Sequence, residues 1–220
     1  MVDGARGASG LTPGELARLL GDGWDAGPAT SSATSSAADG GAVRDPASAE
    51  PPTAAAVWAA LETVPDPEVP VISVVELGVV RTVAIDDGGR VTVIITPTYS
   101  GCPAMREIER DVRAALVSRG WTAEVRTTFT PAWTTDWMTD AAREKLRAYG
   151  IAPPGSAGPV LVPLERRGRA GAAAPVPAAV PCPRCGSPDT ALQSAFGATA
   201  CKALYACRSC REPFEAFKAV

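Results

Sequence analysis

The sequence predicts an α+β protein built from a small α/β sandwich domain, a separate C-terminal four-cysteine zinc ribbon and a disordered N-terminal arm. Three observations carry that prediction. Two β-branched runs, VVRTVAI and VTVIIT, are joined by Asp86, Asp87, Gly88 and Gly89, a hairpin signature flanked by segments of helical spacing. Two C-x-x-C pairs, Cys182 with Cys185 and Cys207 with Cys210, fall in the tail of a chain that contains no histidine. Two stretches rich in small residues have almost nothing to bury, and they divide the chain into an arm (1–52), a domain (53–154), a linker (155–180) and a ribbon (181–220).

In the arm, residues 21–52 are dominated by Ala, Ser, Thr, Gly, Asp and Pro, too little apolar surface to offset the entropy of ordering. Thr12 to Leu20 has the pattern of a short amphipathic turn, read either as a docking element or as unstructured tail. The domain opens at Thr53, which caps a helix with Val57, Leu61 and Val64 at helical spacing, stopped by Pro65. The loop DPEVP follows, then the hairpin strands. A helix with Met105, Ile108, Val112 and Leu116 on one face ends at Gly120. WTAEVRTTFT is a third strand, with Val125, Thr127 and Phe129 alternating against polar neighbours, and a last helix runs from about Asp140 to Tyr149, where Gly150 stops it. The order α, β, β, α, β, α argues a sandwich in which helices cover one sheet face. Trp133 and Trp137 either fill the gap between helix and sheet or flank a groove.

Two places in this domain carry chemistry. Asp66 and Glu68 sit in a loop bounded by prolines that pin its backbone in an extended geometry; such carboxylates hold a metal or cap a helix, and the residues alone leave both readings open. Cys102 stands at a helix start with Pro103 at the first helical position, where exposed amides favour an anion, so its thiolate is expected to be stabilised relative to an ordinary cysteine. It reads as a reactive or metal-binding thiol, or as a small buried residue at a tight turn.

The linker is rich in Pro, Ala and Gly and carries Arg166, Arg167 and Arg169, either a solvated basic cluster or a match for an acidic surface. In the tail, two residues between paired thiolates let a tight turn aim both sulfurs at one ion, and two such turns complete a tetrahedral shell. A closed four-thiolate site suits structural zinc, or iron in a rubredoxin-like arrangement, and leaves no open position for substrate. A disulfide pair is the competing reading. A tail of this size seldom folds on its own apolar residues, here chiefly Leu192, Phe196, Leu204, Tyr205, Phe214 and Phe217, so the metal decides whether it folds. Gly186 fits a positive φ at the first knuckle. Cys201 is a fifth thiol: a small buried residue, a redox or ligand group, or a replacement for Cys207 in the shell.

Composition bounds the rest. The chain has 220 residues, 46% hydrophobic and 20% charged, ordinary for a soluble protein, and a net charge of −3 gives no blanket pull toward nucleic acid. It shows no apolar run of membrane-spanning length and no signal-peptide core, so a cytoplasmic protein with reduced thiols is expected, with neither nucleic acid nor membrane as partner.

Taken together, DPEVP (66–70), VVELG (74–78), PTYSGCPAM (97–105), PAWTTDW (131–137), LRAYGIAPP (146–154) and the ribbon with FGATACKALYAC and EPFEAFK strongly resemble the PaaD family of the bacterial phenylacetyl-CoA epoxidase system. The resemblance covers about 53–154 and 181–220. The central part also looks like the domain shared by SufT-like and MIP-type proteins of iron–sulfur assembly.

What the resemblance implies is a role in aerobic phenylacetate breakdown, where a di-iron oxygenase epoxidises phenylacetyl-CoA and a flavin and iron–sulfur reductase supplies electrons. The chain lacks the Glu-x-x-His pattern of the oxygenase, and it has neither the dinucleotide fingerprint nor the C-x-x-x-x-C-x-x-C spacing of the reductase. It is therefore expected to be a non-catalytic accessory factor that delivers iron or an iron–sulfur cluster to the oxygenase or reductase. In that role Cys102 is a transient sulfur ligand assisted by Asp66 and Glu68, and the ribbon docks the client. One thiol with two carboxylates is too few sulfurs for a stable cluster in one chain, so a homodimer or a shared client site is needed. The alternative is a structural or electron-transfer subunit of the epoxidase, which as a conduit requires iron rather than redox-silent zinc in the four-thiolate site. Catalysis by Cys102 as nucleophile would lack a histidine base.

Overall fold

The computed structural model describes residues 50–155 and 180–219; most of the predicted arm and most of the predicted linker lie outside them. Thr53 caps helix α1 (Ala54–Leu61), its side chain accepting the Ala56 N–H at 3.2 Å. The helix ends before Val64, which is nonetheless buried, because the residues ahead of Pro65 are driven out of helical conformation. Strands β1 (Val80–Ile85) and β2 (Val91–Ile95) pair antiparallel from Val80 opposite Ile95 to Ile85 opposite Val91. Asp86 closes their turn by accepting the N–H groups of Gly88 and Arg90 on Oδ1 at 3.0 and 2.9 Å, and Gly89 supplies the positive φ of +76°.

Helix α2 (Met105–Val117) buries Ile108, Val112 and Leu116, one stripe at a spacing of four, and returns the chain so that β3 (Ala123–Thr127) lies parallel to β2. The third strand is shorter than predicted: Phe129 is 58% exposed beyond its end. A one-turn 3₁₀ segment (Thr135–Trp137) leads to α3 (Asp140–Tyr149), capped by Thr139 and ended by Gly150 at φ +97°. Val57, Leu61, Val91, Val93, Ile95 and Leu146 join the α2 stripe in one core. Among the described residues no helix is long and apolar enough to cross a membrane.

The C-terminal segment forms a second sheet in the order β4-β7-β6-β5, from β4 (Ile151–Ala152), β5 (Thr190–Ser194), β6 (Lys202–Cys207) and β7 (Pro213–Phe217). Strand β4 belongs in sequence to the central domain, directly after α3, yet it pairs parallel with β7, Ile151 opposite Glu215 and Ala152 opposite Ala216. Phe217, at the end of β7, is buried in the central core beside Trp133. The ribbon is thus docked on the sandwich by a shared strand and a buried aromatic side chain.

Candidate functional site

The structure brings Cys182, Cys185, Cys207 and Cys210 together: their sulfurs all lie within 4.8 Å of one another. Each pair is set by a knuckle. Cys182 donates its N–H to Ser187 O and accepts that of Gly186 on its carbonyl, both at 2.9 Å, with Gly186 at φ +73° as predicted. Cys207 donates to Glu212 O at 3.0 Å, and Arg211 takes the corresponding left-handed position at φ +64°. Ser187 and Ser209 join the two knuckles by hydroxyls 2.7 Å apart.

The sulfur geometry tests the ligand. A tetrahedral ion with metal–sulfur bonds of about 2.3 Å has sulfurs about 3.8 Å apart, whereas a disulfide needs about 2.05 Å. Cys182 and Cys210 sulfurs lie 3.8 Å apart and those of Cys185 and Cys207 3.6 Å, the spacing of a metal shell. Cys201 stands outside this group and does not replace Cys207.

Asp66, Glu68 and Cys102 share the lining of a second place, without lying within 4.8 Å of one another as the ribbon sulfurs do. They line one small pocket together with Ile108 of α2, and with Cys201 and Phe217 of the ribbon. Its space, about 10 Å³, admits one water-sized particle. Asp66 caps no helix; it braces its own loop. Its Oδ1 accepts the N–H groups of Glu68 and Val69 at 2.9 and 2.8 Å, and the residue still faces the pocket. Glu68 accepts a long hydrogen bond from the Cys201 thiol, 3.8 Å from Sγ to Oε2.

Electrostatically the pocket raises the proton affinity of its acids. Burial pushes the Asp66 carboxyl above its ordinary value despite the two N–H groups it accepts, and Glu68 is raised by burial and then by Asp66. Burial likewise raises Cys201 to about 11. Cys102 departs from the expectation that its thiolate would be stabilised. The Ala104 N–H does favour the anion, but burial outweighs it, and the Glu68 and Asp66 charges add to the rise. Helix α2 also begins at Met105, so Cys102 lies in the turn before it. A cation at the centre of such a group would offset these penalties and would be taken up in exchange for protons.

Neither tryptophan lines the pocket. Trp133 is buried, donates Nε1–H to Leu77 O at 3.1 Å, and packs on Phe217; Trp137 lies under the Arg81 guanidinium, 3.3 Å from its ring centre. The sequence reading of the site missed the ribbon's contribution: Cys201, Phe217 and Lys202, a lysine only 4% exposed that pairs with Glu215 at 2.8 Å and offsets the charge of Asp66 and Glu68. The available signals were a thiol in excess of the tetrad and a lysine at the head of an apolar strand.

Comparison with known proteins follows the same division. Residues 54–127 match the family described as iron–sulfur cluster assembly protein, and residues 169–218 match the PaaD zinc beta ribbon domain. The chain is 47% identical over 172 residues to a 1,2-phenylacetyl-CoA epoxidase subunit of Escherichia coli K12, covering 77% of this chain and 95% of that one. It is 40% identical over 88 residues to an Fe-S protein maturation auxiliary factor of Porphyromonas gingivalis, covering 39% and 83%. It is 36% identical over 89 residues to the Fe-S protein maturation auxiliary factor YitW of Bacillus subtilis, covering 40% and 86%.

Proposed function

The chain belongs to the PaaD family, and from that premise we propose that it is an accessory protein of aerobic phenylacetate breakdown that matures the phenylacetyl-CoA epoxidase complex by delivering iron or an iron–sulfur cluster. The observation that carries this reading is the convergence of Asp66, Glu68 and Cys102 on one ion-sized pocket. Carboxylates and a thiol are donors for a borderline ion such as Fe²⁺. Their raised proton affinities weaken the hold on that ion, as a carrier requires, because protons compete for every donor.

Zinc is the ion we assign to Cys182, Cys185, Cys207 and Cys210, where it supplies folding free energy on the order of 10 kcal/mol and no redox chemistry. The protein carries out no reaction of its own in this scheme. Its clients are the oxygenase or reductase subunits, and the complex assembles in the cytoplasm.

The test is to purify oxygenase and reductase from cells lacking this protein and to measure their iron, acid-labile sulfide and activity. Depleted metal or cluster, restored by the wild-type chain and not by Cys102→Ser, is the expected result. Full loading in its absence would overturn the proposal.

A further inference from the structure

Cys201 is the thiol left over when the ribbon tetrad is complete, and the fold places it with care. Its carbonyl accepts the Lys218 N–H at 2.9 Å, and the Lys202 N–H closes a turn on Thr199 O at 3.1 Å. The loop before it wraps the Glu215 carboxylate, which accepts the Ala198 N–H at 2.7 Å on Oε1 while Oε2 holds Lys202. Gly197 permits this, since a Cβ there would stand 2.6 Å from Glu215 Oε1. The result is a braced loop that presents the Cys201 thiol 3.0 Å from Thr199 Oγ1 and 3.8 Å from Glu68 Oε2, on the wall of the pocket that Cys102 also lines.

We infer that Cys201 is the second sulfur donor of the cargo pocket, so that one divalent transition-metal ion is held across the domain boundary by Cys102, Cys201 and the Asp66 and Glu68 carboxylates. The inference rests on the reading of this pocket as a cargo site and changes its chemistry. Two thiolates and two carboxylates are a four-donor set within a single chain, so a second copy is not required to supply sulfur. Sulfur donors select Fe²⁺, Co²⁺ or Zn²⁺ over Mg²⁺ and Ca²⁺. On binding, two S–H bonds break, two metal–sulfur bonds form, and the two thiol protons, with any proton held by the Asp66 and Glu68 carboxyls, leave to solvent; no electron changes hands. Among the described residues no three of the pocket donors lie within 4.8 Å of one another as the ribbon sulfurs do, so side-chain rotation has to close them on the ion. The ion thereby fastens the ribbon to the sandwich, and opening that joint exposes the ion to an acceptor.

The experiment uses the full chain with its ribbon loaded with one zinc, titrated without oxygen with Co²⁺ as a spectroscopic stand-in for Fe²⁺, zinc being assayed before and after. The wild type is expected to bind one Co²⁺ per chain with a sulfur-to-cobalt charge-transfer band, all zinc retained. Cys201→Ser and Cys201→Ala, each checked for native circular dichroism and zinc content, are expected to lose about half of that band and to bind at least about tenfold more weakly, since removing even an outer partner of a metal site costs that much. If both Cys201 variants titrate as wild type while Cys102→Ser loses the band, the second-donor assignment is overturned and the cargo reading stands. If the wild type binds no Co²⁺ beyond the ribbon, the cargo reading fails and the inference falls with it.

Discussion

Trp133 of the sandwich packs against Phe217 of the ribbon with ring centroids 6.0 Å apart and planes inclined by 49°. That contact marks one end of a lever. Strand β6 begins at Lys202, beside Cys201, and ends at Cys207; strand β7 begins three residues after Cys210 and ends at Phe217. One end of this pair of strands is tied to the four-sulfur site and the other delivers Cys201 and Phe217 to the pocket and sets the Lys202 charge beside it, a span of about 17 Å for five residue steps. In the proposed reading, an ion in the four-sulfur site would act on the pocket from a distance, by holding the strands that close it.

Replacing Cys182 and Cys185 with Ser should unfold the ribbon and leave the sandwich standing. The double variant is expected to lose its zinc and its β5–β7 signal while keeping its helical circular dichroism. Trp133 emission should shift to the red as Phe217 withdraws. A variant that retains the wild-type spectrum after metal stripping would show that the tetrad is not what folds the tail.

What could be read from the sequence was local, and what could not was long-range. The DDGG turn, the spacing of Ile108, Val112 and Leu116, the stop at Gly150 and the two C-x-x-C knuckles are each set within a dozen residues, so their patterns sufficed. The acidic loop and Cys102 were legible as candidates from the proline-bounded loop and the helix start, and the resemblance alone gave them a role. Their proton affinities were not, because burial by partners far along the chain decides them. The Cys201–Glu68 contact spans 133 residues, and β4 is only two residues long, too short to carry a strand pattern.

Gly78→Ala should be costly although Gly78 does not itself line the pocket, as its neighbours Leu77 and Val79 do. Gly78 sits at φ +78°, and a Cβ there would stand 2.7 to 2.9 Å from Trp137 backbone and Cβ atoms, which cannot swing away as a side-chain tip could. Left-handed strain and overpacking together predict a loss of roughly 2–4 kcal/mol in urea unfolding. A loss below about 0.5 kcal/mol would mean that the 3₁₀ segment is not clamped there.

Acid should weaken the Lys202–Glu215 pair. Burial opposes ionisation of Glu215, but the Lys202 hydrogen bond, the Ala198 N–H and the Lys202 charge together bring it below its ordinary value of 4.5. A carboxyl lowered on folding stabilises the native state above the unfolded pKa, and that contribution disappears as pH falls through the folded pKa. The wild type should exceed Glu215→Gln in denaturant midpoint at pH 7, and the gap should shrink as pH falls below 4.5. Because both proteins carry the same zinc site, acid release of zinc cancels in the difference. A gap that is independent of pH would assign the effect to packing instead.

Cys102→Ser separates folding from delivery. The thiol is half-buried, and serine is close in size, so the variant should keep zinc, secondary structure and an unfolding midpoint near that of wild type. Growth on phenylacetate as sole carbon source should nevertheless fall, with growth on other carbon sources unchanged, because a serine hydroxyl stays protonated where a thiol yields its proton to a metal. The decisive measurement is made on the clients: oxygenase and reductase isolated from the variant strain should be poor in iron or sulfide, and treating them with iron and sulfide in vitro should restore their activity. Clients fully loaded in a strain that still grows poorly would place the defect in assembly of the complex, and Cys102 would then have no part in moving metal.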